Sequence, residues 1–267
     1  MTYTSLHLFA GLGGGSLGFQ SAGFRSLGNV DSDPEACADL EYLAGEVATC
    51  VDISTMTPGD LLDITGGERP DVVFTSPPCK AFSGCLPKEI SRTQKYLELS
   101  NLSQLGIWLA LEAWAASPPP LIIMENVPRI QTRGREWLDQ TVGMLQAYGY
   151  AVRETTHDCG HLGGLAQSRR RFLLVARHMD QVPEFLYQPP HLPKLGVGDT
   201  LKCLPIPIPD SDAGGDMHRL PRLSAMNWLR LALIPAGGDW RDLPARAARD
   251  TGSRGRDRAR KSVISLA

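Results

Sequence analysis

Short apolar runs, closed off by glycine, proline or acidic residues, alternate along this chain with longer stretches of helical periodicity. Residues 6–9, 27–30, 48–53, 72–74, 121–124, 150–156 and 172–176 read as strands. Residues 35–44, 96–116 and 135–148 read as helices, and 223–234 as one amphipathic helix. Strands that alternate with helices predict an α/β fold, a largely parallel sheet with helices on both faces. Trp108 and Trp114 in the long helix are expected to pack into the core. Residues 160–166 read as a loop and residues 87–95 as a mobile loop. Past residue 178 the chain turns proline-rich and loses its periodicity, so a boundary falls there.

Polar residues cluster where the strands end. The first strand runs into Phe9-Ala10-Gly11-Leu12-Gly13-Gly14, glycines that let a ligand approach the backbone ahead of a helix N-terminus. A dinucleotide site or a plain tight turn explains these glycines as well. Asp31 closes the second strand at the distance where an acid holds a ribose, while Asp33 before Pro34 reads as a helix cap. Asp52 closes the third strand and is preferred to Asp63 for a ligand amino group. After residues 72–74 the chain meets Pro77-Pro78 and must leave the sheet. Cys79 therefore stands on a loop at a carboxyl strand end, where open α/β sheets place ligands. It reads either as a nucleophile or as a small buried residue. Glu125 directly follows four apolar residues and reads either as partly buried, which favours its protonated form, or as a solvated strand end. Arg169, Arg170 and Arg171 open the last strand, and strand alternation puts Arg169 and Arg171 on one face. That pair suits a phosphate or a base edge, or is a solvated strand end.

Composition narrows the setting. The 267 residues carry a net charge of −2, so a nucleic-acid partner needs local positive charge. The six cysteines show neither zinc-ligand spacing nor a disulfide framework, so reduced thiols, no metal and a cytoplasmic protein are expected. The first nine residues lack the build of a signal peptide, and no apolar run reaches membrane-spanning length, so no membrane partner is expected.

The motifs together resemble the DNA (cytosine-5)-methyltransferase family of bacterial or phage type. They are FAGLGG from Phe9, PPCKAFSG from Pro77, MENVP from Met124 and QSRRR from Gln167, in the family's order. A dehydrogenase accounts for the glycines but not for Pro-Pro-Cys or Glu-Asn-Val. The resemblance implies a Rossmann-like, seven-stranded methyltransferase sheet with S-adenosyl-L-methionine as donor and double-stranded DNA as partner. It implies catalytic roles for Cys79, Glu125, Arg169 and Arg171, and cofactor contacts from Phe9, Ala10, Gly11, Gly13, Gly14, Asp31, Asp52 and Pro78. Ser83, Asn126 and Gln167 are expected on the DNA side. It divides the chain into a catalytic domain over 1–178, a partial recognition region over 179–244 and a basic tail over 245–267, expected to be disordered.

His7 and Lys80 stand where the family usually has Asp and Gln. The family's closing Gly-Asn-Ala-Val-Pro motif is missing, so the polypeptide alone is expected to be weak or inactive, as a split enzyme with a complementing C-terminal subunit, a shortened phage relic or a chain with a frame change before its Arg-rich tail would be. A silent remnant that binds cofactor or DNA, and a tRNA cytosine-5 methyltransferase, are the alternatives.

Overall fold

The computed structural model describes residues 2–79, 82, 94–184, 190–206, 215, 220–235 and 237–244, without the side chains of 94–100 and 103. The elements are β1 (Thr4–Leu8), α1 (Gly14–Ser21), β2 (Arg25–Asp31), α2 (Pro34–Ala44), β3 (Ala48–Cys50), α3 (Pro58–Thr65), β4 (Val72–Thr75) and α4 (Gln94–Ala113). They continue with β5 (Leu121–Asn126), α5 (Ile130–Arg133), α6 (Arg135–Ala147), β6 (Tyr150–Asp158), α7 (Cys159–Gly163), β7 (Arg170–His178), α8 (Val197–Leu201) and α9 (Ala225–Leu233). The described residues divide into two compact units, one up to residue 200 and one from residue 201 on.

The first unit holds a seven-stranded sheet in the order β3-β2-β1-β4-β5-β7-β6. The first five strands in sequence run parallel, and β7 runs antiparallel between β5 and β6. The expected α/β sheet, with all seven strands, is therefore the observed one. Strand order reverses between β1 and β4, and the crevice outside their carboxyl ends is the ligand-binding place of such sheets. Because β7 is antiparallel, its arginine-bearing start lies beside the end of β5: Phe172 pairs with Asn126, and Leu173 with Glu125. Topology thus brings four loops distant in sequence to one edge.

Helices cover both faces. A Cβ on Gly28 would come within 2.5 Å of Ile64 on α3. The next residue, Asn29, donates from Nδ2 to Glu46 beyond α2 at 3.0 Å. Successive strand residues point to opposite faces, so β2 is sandwiched. The core joins Leu6, Leu8, Ile122, Met124, Phe172 and Leu174 of the sheet to Ile107, Leu111, Leu138 and Leu145 of α4 and α6, all fully buried. Each such side chain contributes roughly 1.5–3 kcal/mol of burial.

Three expectations need correction. Trp114 is buried, but Trp108 is 39% exposed, because it falls out of step with the buried positions 107, 110, 111 and 114. The third strand stops at Cys50, since Asp52 accepts from Ser54 N–H at 2.9 Å and starts a 3-10 turn over Ile53–Thr55. Residues 159–163 form the short helix α7 rather than a loop, because Asp158 caps it by accepting from Gly160 N–H at 2.9 Å. Asp33 does cap α2, accepting from Glu35 and Ala36 N–H. Most of the expected loop at 87–95, and all of the tail at 245–267, lie outside the described residues.

In the second unit, Ser224 caps α9 and Asp239 caps a 3-10 turn over Trp240–Asp242.

Candidate active site

The loop after β4 is fixed at both ends of its Pro-Pro-Cys segment. Ser76 N–H donates to Leu8 O at 3.2 Å, tying the end of β4 to that of β1. Asn126 is 2% exposed and donates from Nδ2 to Pro77 O at 3.4 Å, while its Oδ1 accepts from Val127 N–H at 2.8 Å. Beyond the cysteine, Phe82 N–H donates to Cys79 O at 3.0 Å, and the Phe82 ring is buried beside Trp137. A Cβ on Gly134 would sit 2.6 Å from that ring, so a glycine is needed to seat it. The chain rises out of the sheet, turns at Cys79 and re-enters the core at Phe82. Cys79 is left half-buried on a braced turn, and Pro78 beside it is half-buried too.

Glu125 ends β5 on the same edge. Its Oε2 accepts from Ser76 Oγ–H at 2.9 Å, and Arg171 Nε lies 2.6 Å from its Oε1. These side chains are about one fifth exposed: 22% for Arg171 and 23% for Glu125. Partial burial was expected of Glu125. A guanidinium partner was not, and it replaces the picture of a carboxyl group alone against apolar neighbours.

The glycine side lies across the crevice. Phe9 adopts φ 56°, a left-handed conformation that costs a non-glycine residue of the order of 1 kcal/mol. Gly11, at φ 54°, faces open space where a Cβ would stand. Its N–H donates to Asp31 Oδ2 at 2.7 Å, and Asp31 Oδ1 accepts from Asp33 N–H at 3.0 Å. Ala10 N–H donates to Val30 O at 3.0 Å, so the turn is stitched to β2 throughout. Gly13, at φ 82°, caps α1 without a side-chain bond, and Gly14 opens that helix facing open space. The first N–H groups of α1 thus have no side-chain cap. Asp52 is exposed, and its bond to Ser54 N–H holds its carboxyl below the ordinary carboxylate range.

Asp158 organises the arginine loop. It accepts from Gly160 N–H at 2.9 Å, Arg169 N–H at 3.2 Å, Ser168 Oγ–H at 2.7 Å and Lys194 Nζ at 2.7 Å. The lysine and serine bonds lead in holding its carboxyl well below the usual range. Gln167 and Arg169 are exposed on this loop, whereas the Arg171 side chain turns to Glu125. Ser83 lies outside the described residues.

Sequence reasoning missed Ser76, Phe82 and Asp158. Ser76 and Phe82 lie inside the Pro-Pro-Cys stretch and were legible as its neighbours. Asp158 carried no signal, since nothing in the sequence says that one carboxylate will gather donors from 160, 168, 169 and 194. Among the described residues no group of three or more His, Cys, Asp or Glu is placed to hold a metal ion. Among the same residues no helix is long and apolar enough to cross a membrane.

A family model described as C-5 cytosine-specific DNA methylase matches residues 3–205. Type II methyltransferase M.PspPI of Psychrobacter sp. is 26% identical over 255 residues, covering 93% of this chain and 57% of that protein. Type II methyltransferase M1.HphI of Haemophilus parahaemolyticus is 26% identical over 250 residues, covering 91% of this chain and 64% of that protein. The chain therefore spans less than two thirds of the length of these relatives. The crystal structure of a DNA modification methyltransferase encoded within an E. coli prophage matches with TM-score 0.66 at 19% identity, over 89% of this chain and 66% of that one. At that identity the likeness is one of fold.

Proposed function

We propose, because this chain belongs to the C-5 cytosine-specific DNA methylase family, that it transfers a methyl group from S-adenosyl-L-methionine to carbon-5 of cytosine in double-stranded DNA. The observation that carries the reading is the bracing of Cys79 and Glu125 on one sheet edge: Ser76 bonds Glu125 at 2.9 Å and Asn126 bonds Pro77 at 3.4 Å. A nucleophile and an acid on a common scaffold, opposite an open glycine turn, suit covalent addition to a base.

The glycine side fits the donor. Gly11 faces open space, the N-terminus of α1 lacks a side-chain cap, and each Asp31 oxygen accepts one N–H with further lone pairs to spare. Phe9, Ala10, Gly11, Gly13, Gly14 and Pro78 line its methionine and ribose side in this reading. Asp31 takes the ribose hydroxyls and Asp52 the adenine amino group. When bound, S-adenosyl-L-methionine supplies a methyl group on a sulfonium, ready for a carbon nucleophile.

Cytosine carbon-5 is a poor nucleophile, and the residues correct that. The Cys79 thiolate forms a carbon–sulfur bond at carbon-6, which breaks the aromatic ring and makes carbon-5 enamine-like. Glu125 shares a proton with ring nitrogen-3 and so stabilises the charge that develops there and at the exocyclic amine. Once carbon-5 is methylated, a base removes its proton, the ring double bond re-forms and the Cys79 sulfur departs. A cytosine inside a duplex is out of reach, so it is flipped out at a cost of a few kcal/mol. Arg169 and Arg171 hold the flipped nucleotide and its backbone, with Ser83, Asn126 and Gln167 on the DNA side.

The chain then has a catalytic domain over 1–178, a partial recognition region over 179–244 and a basic tail over 245–267, and works as a cytoplasmic protein of a restriction-modification system. A complementing C-terminal polypeptide is the second partner in this proposal.

The test is covalent trapping. A duplex carrying 5-fluorocytosine blocks the final proton removal, so with the donor present the chain should become linked to DNA through Cys79, read by mass spectrometry. Cys79→Ser should form no adduct. An adduct mapped to any other residue, or methyl transfer that survives Cys79→Ser, overturns the mechanism.

A further inference from the structure

Two cysteines that the proposed chemistry leaves aside meet beside Asp31. Cys37 lies in the first turns of α2 and is buried, whereas Cys50 is the last residue of β3 and is exposed. The Cys37 thiol donates to Asp31 O at 3.7 Å, and the Cys50 thiol to the next carbonyl, Ser32 O, at 4.0 Å. Cys50 is also the register partner of Asp31 in the ladder between β2 and β3. The two thiols thus sit against the carbonyls of consecutive residues, and both are free. Burial, neighbouring Cys50 and the acids Asp31 and Asp33 push the Cys37 thiol up to about 11. Cys37 therefore stays protonated, and exposed Cys50 is the sulfur that a dissolved oxidant meets.

We propose that Cys37 and Cys50 are a redox pair that peroxide closes into a disulfide, and that closure weakens cofactor binding at Asp31. The second half rests on the reading of Asp31 as a ribose ligand. The chemistry balances. The Cys50 thiolate attacks hydrogen peroxide, breaks its O–O bond and becomes a sulfenic acid, with hydroxide leaving. The Cys37 sulfur then attacks Cys50 and forms the S–S bond. The sulfenic oxygen leaves as hydroxide, and the two thiol protons convert both hydroxides to water. Two thiols lose two electrons, and one peroxide becomes two waters.

The link acts on Asp31 through the backbone. Asp31 O accepts the Cys37 thiol and also Val51 N–H at 2.8 Å, one residue past Cys50. Drawing Cys37 away to bond Cys50 removes the first contact and pulls on the second. The Asp31 carboxylate, which holds Gly11 N–H at 2.7 Å, shifts with its backbone.

The experiment compares the full chain, reduced or treated with hydrogen peroxide and then freed of it, by non-reducing peptide mapping and by calorimetric titration with S-adenosyl-L-methionine. Affinity is the readout because oxidation of Cys79 would end turnover by itself. The expected results are a linked Cys37–Cys50 peptide, a rise in Kd of about tenfold or more, and recovery with dithiothreitol. Cys50→Ser, at an exposed position, should bind the cofactor normally and keep its affinity through the same treatment. Treated chain with no such linked peptide overturns the proposal, as does a linked chain with unchanged affinity. Reduced chain that binds no cofactor refutes the cofactor reading and the second half here, while the linked peptide still decides the first half.

Discussion

Arg171 sets its Nε 2.6 Å from Oε1 of Glu125, while Ser76 holds Oε2 at 2.9 Å. Both carboxylate oxygens are thus oriented from opposite sides, by a residue at the start of β7 and one just past β4. A general acid contributes about 10²–10⁴-fold, so Glu125→Gln should lower methyl transfer by that order while the fold is kept. Arg171→Ala leaves a partly buried carboxylate without its charge partner and should cost about 1–3 kcal/mol, between the values for exposed and buried pairs. Ser76→Ala removes one hydrogen bond, worth about 1 kcal/mol, and should lower turnover less than Glu125→Gln. Urea titrations beside single-turnover rates check all three. Full activity in Glu125→Gln would sink the assignment.

Gly11 and Gly13 share a left-handed backbone but not a neighbourhood. A Cβ on Gly13 would meet Leu40 Cγ at 2.8 Å, whereas one on Gly11 would meet nothing within 4 Å. Both Ala substitutions carry left-handed strain of about 1 kcal/mol. Gly13→Ala adds a clash with the core-facing side of α2 and should lose about 2–3 kcal/mol in all. Gly11→Ala should lose only the strain yet bind S-adenosyl-L-methionine more weakly, because its new methyl group enters the space assigned to the ligand. Equal stability losses in the two variants would contradict this contrast.

How much was legible follows from the same residues. Seven apolar runs and their terminating glycines, prolines and acids are local signals, and they located every strand among the described residues. The family motifs picked out the residues to which the proposed chemistry is assigned. What local signals cannot carry is which loops meet. The contact between Glu125 and Arg171 depends on β7 running antiparallel beside β5, and Phe172 paired with Asn126 is invisible in either segment alone. Asp158 shows the same limit, because its four donors are spread over residues 160–194. Trp108 was misplaced because a helix rich in Leu and Ala offers more than one apolar face, and only packing selects the buried one.

Asp158 holds α7, the Gln167–Arg169 loop and Lys194 with a single carboxylate. Asp158→Ala should release that loop, seen as faster amide exchange at Gly160 and Arg169, the two backbone donors to its Oδ1. Duplex DNA should bind more weakly, because Gln167 and Arg169 would no longer be presented in a fixed loop, while affinity for S-adenosyl-L-methionine stays unchanged. Asp158→Asn keeps an acceptor for the backbone donors but not the ion pair with Lys194, and should fall between Ala and wild type. If exchange at Gly160 and Arg169 is the same in all three proteins, the carboxylate is not what holds the loop.

His7 gives the fold a defined weakness in mild acid. It is 1% exposed on β1, with Nε2 3.0 Å from Ser5 Oγ and its ring against Phe19 and Phe74. Burial lowers its pKa from 6.5 to about 4, with nearby Glu46 opposing the shift. Above pH 6.5 the ring is neutral in the folded and unfolded chain alike, and stability does not depend on it. Below pH 6.5 the unfolded chain takes up a proton that the folded chain refuses, so stability falls by roughly 1.4 kcal/mol per pH unit until about pH 4. The lowered carboxylates, Asp52 among them, begin to lose their contributions only below their ordinary values near pH 3.8, so the window above belongs mainly to the imidazole. Urea unfolding of wild type between pH 7 and 4.5 should therefore steepen below pH 6.5. His7→Asn, which keeps a polar partner for Ser5 but cannot titrate, should show a shallower loss over the same range even if it starts less stable. Parallel slopes for the two proteins would mean that His7 is not the group that binds the proton.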